Sequence, residues 1–294
     1  MSSAAPRHVI IVGLGVMGGS VAKTLKRRAP GTAVFGIDPD DESAALASRD
    51  GVVRVHALDD CDLDGAVVVF AAPLDVTAAL VRDTAGAWSR AALATDVSSL
   101  KVPVMEAART GAPVPAPAQP AATRPAPAPP VFVGAHPMCG SERSGYGAAR
   151  ADLFEGADVW LCPAHDDAPL ASAQAFWRLL GGCIRTITAT GHDRLMARAS
   201  HLPQLLSSAL ARSLDDAGIA RDALGPGGRD MTRLAGSSPS MWLPLLEAAR
   251  ERDARALGAL EERIGSVRRM LEEGDLAALG ELMERGRRWV SGTD

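Results

Sequence analysis

The sequence predicts an α/β fold, a doubly wound, mostly parallel sheet followed by an all-helical C-terminal domain. Three observations carry this. Over the first 189 residues, short apolar runs alternate with amphipathic stretches, the rhythm of βαβ units. The first apolar run, residues 8–12, feeds directly into a glycine-rich turn and a helix-like stretch. After about residue 190 the strand signals stop and helical periodicity takes over. The expected division is residues 1–189 and 190–294.

The elements follow in order. HVIIV at residues 8–12 reads as a buried strand and residues 21–28 as the helix after the turn. Pro30-Gly31 break that helix, and AVFGID at 33–38 is the second strand. Runs at 52–55, 66–72 and 93–97 continue the series, separated by helix-like segments such as 76–88. From 111 to 130 the chain is almost wholly proline, alanine and other small residues, which cannot bury a core face. It is expected to be an extended or disordered insertion inside the first domain, because the apolar rhythm resumes at 131–133. Residues 159–161 and 184–187 are further strands flanking a helix near 172–180.

In the second domain, 192–216 reads as one long amphipathic segment, and Ser238-Pro239 as the cap and first residue of another helix. Leu257, Leu260, Ile264, Val267 and Leu271 form an apolar stripe that Leu276, Leu279 and Met283 continue. Such long amphipathic helices suit both a helical core and a homodimer interface.

Composition bounds the function. A hydrophobic share of 47% and a charged share of 22% fit a soluble chain with a real core. A net charge of −4, without a Lys/Arg run, gives no reason to expect nucleic acid or a membrane surface as partner. The first seven residues are too short and polar for a secretory signal, and no apolar run approaches membrane-spanning length. Cys61, Cys139, Cys162 and Cys183 are widely spaced with no CxxC pair, so neither a disulfide framework nor a metal site is expected. A reducing cytoplasm is the expected compartment.

GLGVMGGS follows the first strand and opens a helix, and Asp38 closes the second strand. That context turns a weak GxGxxG pattern into a dinucleotide-binding fingerprint and makes the first domain Rossmann-like. Gly13 allows the tight turn, Gly15 lets the pyrophosphate approach, and Gly18 lets the helix pack on the strand. Val16 and Met17 inside the turn, and Pro73 just past the 66–72 run, complete the expected cofactor contacts of this half. Asp38 should accept the adenosine ribose hydroxyls, and the acids at 40–42 should repel a 2′-phosphate. NAD is the expected cofactor.

Four clusters remain. They are DVSSLK (96–101), GAHPMCGSE (134–142), His192-Asp193 with SHLP (200–203), and RDMTR (229–233) with Trp242. Residues 134–142 read as a loop leaving the carboxyl end of a strand, where open α/β sheets bind ligands. His136 is there the candidate general base. Each cluster also has an ordinary structural reading: a capped turn at 96–101, a loop brace at His136, a surface pair between Asp230 and Arg233. His192 and His201, nine residues apart, cannot both face one pocket from a straight helix.

Taken together and in order, GLGVMGGS, DVSSLK, GAHPMCGSE, HDRLMARASHLPQ and RDMTRLAGSSPSMW resemble the prephenate/arogenate dehydrogenase (TyrA) family over essentially the whole chain. The resemblance implies NAD(P)-dependent oxidative decarboxylation of a cyclohexadienol in tyrosine biosynthesis, at a cleft between a Rossmann-like domain and a helical dimerisation domain. It implies that His136 accepts the substrate's hydroxyl proton, that Ser99, close to both His136 and the nicotinamide, contacts the cofactor and fixes the tautomer of His136, and that Arg233 holds a substrate carboxylate. Ser141 and Glu142 would form the pocket's polar edge, Asp230 would orient Arg233 or seal the pocket, and His201 and Trp242 would line it. Gln204 can donate or accept, so prephenate, arogenate and a 4-amino-4-deoxy analogue stay open, with prephenate preferred. Cys139 and the long 111–130 tract depart from the family pattern. No chorismate mutase segment or regulatory ACT domain is expected. The competing readings are a β-hydroxyacid dehydrogenase, which needs a catalytic lysine, and a silent NAD-binding protein.

Overall fold

The computed structural model describes residues 5–111, 131–140, 143–164 and 169–292. The Pro/Ala-rich tract from 112 to 130, and Ser141 and Glu142, lie outside them. The described chain groups into two compact units, Met1–Met196 with Ser237–Ala248, and Ala197–Gly236 with Ala249–Asp294.

The first unit is built on an eight-stranded sheet. Its elements are β1 (His8–Val12), α1 (Val16–Arg28), β2 (Ala33–Ile37), α2 (Asp41–Arg49), β3 (Val53–Arg54), β4 (Val67–Phe70), α3 (Leu74–Asp83), α4 (Ala85–Trp88), β5 (Leu93–Asp96) and α5 (Val102–Thr110), followed by β6 (Phe132–Pro137), β7 (Asp158–Pro163), α6 (Leu170–Leu180), β8 (Cys183–Thr186) and α7 (Ala189–Met196). The strand order is β3-β2-β1-β4-β5-β6-β7-β8. Every neighbouring pair is parallel except β6 with β7. The order reverses between β1 and β4, so the crevice beyond their carboxyl ends is a topological switch point.

Both faces of the sheet are covered, which is why its strands read as continuous apolar runs. Val9 and Ile11 of β1 pack with Val21 and Leu25 of α1 and with Phe176 and Trp177 of α6. Ile10 and Val12 point the other way, into a cluster with Val81, Trp88, Val104 and Phe132. Each such fully buried aliphatic side chain contributes about 1.5–3 kcal/mol relative to exposure.

One expectation is corrected here. The loop read at 134–142 begins later, because Gly134, Ala135, His136 and Pro137 belong to β6. β5 pairs only with Phe132 and Val133. β7, running antiparallel, pairs with Val133 to Pro137 and extends the strand. Long-range pairing of this kind leaves no local trace in the sequence.

The remaining helices are α8 (Leu202–Asp216), α9 (Pro226–Thr232), α10 (Pro239–Glu273) and α11 (Leu276–Ser291). The single segment read at 192–216 is corrected to α7 and α8 joined by a π-helical stretch, Ala197–His201. The wide turn changes the helical phase, so His192 and His201 are both buried, one in each unit. α10 begins at Pro239, after Ser238, as read. Among the described residues no helix is long and apolar enough to cross a membrane.

Candidate active site

The glycine turn between β1 and α1 has the shape its sequence calls for. Gly13 holds φ +99°, and a Cβ there would sit 2.7 Å from the Ala71 backbone at the end of β4. A Cβ on Gly18 would meet the Gly13 carbonyl oxygen at 1.9 Å, so α1 approaches its own turn as only glycine permits. Around Gly15, which caps α1, a Cβ would meet nothing within 4 Å. Space is left there, in front of the unpaired N–H groups of the helix N-terminus, for an anionic group to approach. Asp38, just beyond β2, accepts the Leu14 N–H at 2.5 Å and the Asp40 N–H at 2.8 Å. It thus ties the turn to β2 while each carboxylate oxygen keeps a second lone pair. Asp40 caps α2 through Ser43 N–H, and Asp41 pairs with Arg54, leaving the patch beside Asp38 acidic. Val16 and Met17, half-buried, open α1 directly after the turn, and Pro73 is exposed ahead of α3. These residues fit a dinucleotide.

On the same carboxyl edge, past β4 and β5, His136 sits near the end of β6. It is half-buried. Its Nδ1 lies 2.9 Å from Nε2 of His192, and the two rings meet edge to face. His192 Nδ1 is 2.9 Å from Asp193 Oδ1. Asp193 also accepts the backbone N–H groups of Lys101 (2.7 Å) and Val102 (3.0 Å), capping α5 from 92 and 91 residues away in sequence. All of His192 and Asp193 is buried. The pair stood out in sequence only as an adjacent His-Asp. The 56-residue separation between His136 and His192 hid the link.

Asp96 and Lys101 form a second buried support. The Lys101 ammonium donates to Asp96 Oδ2 (2.5 Å) and to the Ala135 carbonyl oxygen (2.6 Å), and Ala135 N–H donates to Asp96 Oδ1 (2.9 Å). Both backbone groups of the residue before His136 are thereby fixed. Gly134 belongs to the same arrangement, because a Cβ there would press on Met105 and the Lys101 stem. The DVSSLK turn is a clamp on β6.

Ser99 is half-buried on that turn, and its side chain makes no hydrogen bond among the described residues. The neighbouring Ser98 hydroxyl is buried without a hydrogen-bond partner, an orphan at the edge where a ligand would lie. Cys139 packs against the core, and burial pushes its thiol up to about 11. It is a neutral space-filler rather than a reactive thiolate.

The second unit gathers His201, Gln204 and Arg233. His201, buried, has Nδ1 3.0 Å from an Asp253 carboxylate oxygen. Gln204 donates through Nε2 to the Leu234 carbonyl oxygen (2.9 Å), and Ser207 Oγ accepts the Ala235 N–H (3.0 Å). α8 thus pins the turn that carries Arg233. Arg233 is exposed, and no ion pair joins it to Asp230 among the described residues. Because a carbonyl oxygen can only accept, the Gln204 amide must turn its NH2 toward Leu234, and its buried Oε1 is left without a hydrogen-bond partner. Trp242 is half-buried on α10, in the first unit.

Comparison with known proteins matches residues 21–186 to the model "Prephenate dehydrogenase, nucleotide-binding domain" and residues 188–285 to "Prephenate dehydrogenase, dimerization domain". The chain is 30% identical over 277 residues to a prephenate dehydrogenase of Bacillus subtilis (strain 168), covering 91% of this chain and 71% of that protein. Its fold resembles that of prephenate dehydrogenase from A. aeolicus in complex with hydroxyphenyl propionate and NAD+, with TM-score 0.83 and 24% identity over 99% of this chain and 100% of that one. Synechocystis arogenate dehydrogenase gives 0.81 and 22%, over 98% and 100%.

Proposed function

Because the chain belongs to the prephenate dehydrogenase family, we propose that it catalyses the NAD-dependent oxidative decarboxylation of prephenate to 4-hydroxyphenylpyruvate. The observation that carries this reading is His136. It is a histidine fixed on a strand end, backed by His192 and Asp193, on the sheet edge that also bears the dinucleotide turn. Bound NAD supplies the hydride acceptor. The protein's own task is to hold the ring, accept the hydroxyl proton at His136, and let loss of carbon dioxide complete the aromatic ring. Aromatisation supplies the driving force, so positioning and one proton acceptor suffice. A β-hydroxyacid dehydrogenase would need a catalytic lysine, and Lys101 is wholly buried in the Asp96 clamp.

Asp38 is assigned to the adenosine ribose. Asp38→Ser should narrow the preference for NAD over NADP, read as the ratio of kcat/KM values. An unchanged ratio would count against the assignment. Arg233, a planar two-pronged donor on a turn pinned to α8, is assigned to a substrate carboxylate. Arg233→Ala should raise KM for the substrate by about 10- to 100-fold, the loss of roughly 1.5–3 kcal/mol from a charged hydrogen bond, with kcat changed less. An unchanged KM would move the carboxylate site elsewhere.

A second substrate reading has its own support. The part of Gln204 left unsatisfied is an acceptor, and an acceptor suits the ammonium of arogenate better than the keto group of prephenate. The deciding experiment offers prephenate, arogenate and the 4-amino-4-deoxy analogue side by side and measures NADH. Turnover of none would overturn the function proposed here.

The exposed apolar residues of the second unit support a homodimer through the C-terminal helices. Ile264 is 53% exposed, Leu271 59% and Trp289 81%, on surfaces an isolated protomer would leave to water. Ile264→Asp/Leu271→Asp should sediment as a monomer, whereas an unaltered dimer mass would exclude this face as the interface.

A further inference from the structure

Asp193, His192 and His136 form a chain of two hydrogen bonds whose direction is set at its acidic end. Asp193 is fully buried, and its two oxygens accept the Lys101 and Val102 N–H groups. Burial alone would push its carboxyl up, but the bonds from His192, Lys101 and Val102 outweigh this and hold it below the ordinary aspartate range. A carboxylate only accepts, so the proton between it and His192 resides on His192 Nδ1, 2.9 Å away. A neutral His192 with that proton presents a lone pair at Nε2. His136 Nδ1, 2.9 Å from that atom, must then donate. The proton on Nδ1 leaves Nε2 of His136 as the unprotonated nitrogen of its ring. A cationic His192 would reverse the second bond and put a proton on His136 Nε2, where no base could act.

We propose that His192, oriented by Asp193, is a positioning residue that fixes His136 in the Nδ1-protonated tautomer and so makes Nε2 the proton acceptor. The proposal rests on, and deepens, the reading of His136 as general base. The arrangement is held from several sides. β6 carries His136, α7 carries the other two, and Asp193 caps α5, so three elements fix one ring. When Nε2 takes up the substrate's proton, the Nδ1–H of the resulting imidazolium already points at an acceptor. No ring has to turn.

The test uses the full-length chain with ¹⁵N-labelled histidine, the His136 signals being those missing from His136→Asn, together with NADH formation from prephenate or arogenate. Parent protein should show His136 protonated at Nδ1. His192→Leu should lose that bias and lower kcat about 10- to 100-fold, less than the roughly 10²- to 10⁴-fold a base supplies, with KM and NAD binding within about twofold. His192→Gln, whose Oε1 can accept the same proton, should recover most of kcat. Replacing His192 leaves the Asp193 cap on α5 in place, which keeps the fold out of the comparison. An Nε2-protonated His136 in the parent, unchanged kcat in His192→Leu, or equal losses in both His192 variants would overturn the proposal. Near-normal turnover of His136→Asn would instead remove the general base itself, and the tautomer spectrum would still decide the role of His192.

Discussion

His136→Asn is expected to lower kcat by about 10²- to 10⁴-fold while cofactor affinity and the urea midpoint stay at parental values. The substitution is chosen for what it keeps. An asparagine amide can still donate toward His192 Nε2, so the bond seen at 2.9 Å has a successor and the β6 backbone has no reason to move. It removes the one function an amide cannot replace, a nitrogen that takes up a proton near neutral pH. The glycine turn lies across β4 and β5 from His136, so NAD binding should be indifferent to the change. The comparison requires steady-state kcat, an NAD binding isotherm and a denaturation curve on the same preparation. Turnover within a few-fold of the parent would sink the base assignment, and a shifted urea midpoint would show that the fold was disturbed instead.

The sequence made the two ends of this edge unequally legible. Gly13, Gly15, Gly18 and Asp38 could be read because their roles are local, each needing only a strand before it and a helix after it. His136 could be found as a histidine among glycines, but not as a strand residue. The pairing that places it on β6 comes from β7, more than twenty residues later. His192 and Asp193 were visible as neighbours without a task, because their partners, His136 and the start of α5, are brought to them only by the closed sheet. The π-helical stretch at Ala197–His201 left one trace, the phase conflict between His192 and His201, which a continuous helix could not have resolved. Amphipathic periodicity alone ran straight through it. In the second unit Gln204 could be nominated but not oriented, since the carbonyl that fixes its amide belongs to Leu234, thirty residues on.

DVSSLK also changes meaning once folded. The family resemblance assigns Ser99 to fixing His136, whereas the atom 2.9 Å from His136 Nδ1 is His192 Nε2, and the turn's buried charged groups, Asp96 and Lys101, bond to the Ala135 backbone. This puts a buried charge pair directly behind the proposed base.

Lys101→Met should accordingly have the largest effect on stability of any single substitution considered for this chain. Methionine fills much of the lysine stem's volume, so little cavity is created. The ammonium is lost, and Asp96 remains with its backbone donors but no counter-charge, at a site with 0% exposure. Breaking a buried pair from one side costs about 3–5 kcal/mol. For a domain of this size that is a fall in Tm of roughly 6–20 °C. A melting point within 2 °C of the parent, given that ~6 °C lower bound, would mean that Asp96 is not held as an anion. Lys101→Met/Asp96→Asn then separates stability from placement. With both charges gone, much of the lost stability should return, because no unpaired charge is left buried beside the Ala135 and Ser98 N–H groups. Turnover should not return with it, since neither side chain of the double variant can donate to the Ala135 carbonyl oxygen as the ammonium does while also reproducing the carboxylate that accepts Ala135 N–H. Recovery of Tm without recovery of kcat is the expected pattern. Recovery of both would mean that the sheet alone places His136 and that the buried pair is dispensable to it.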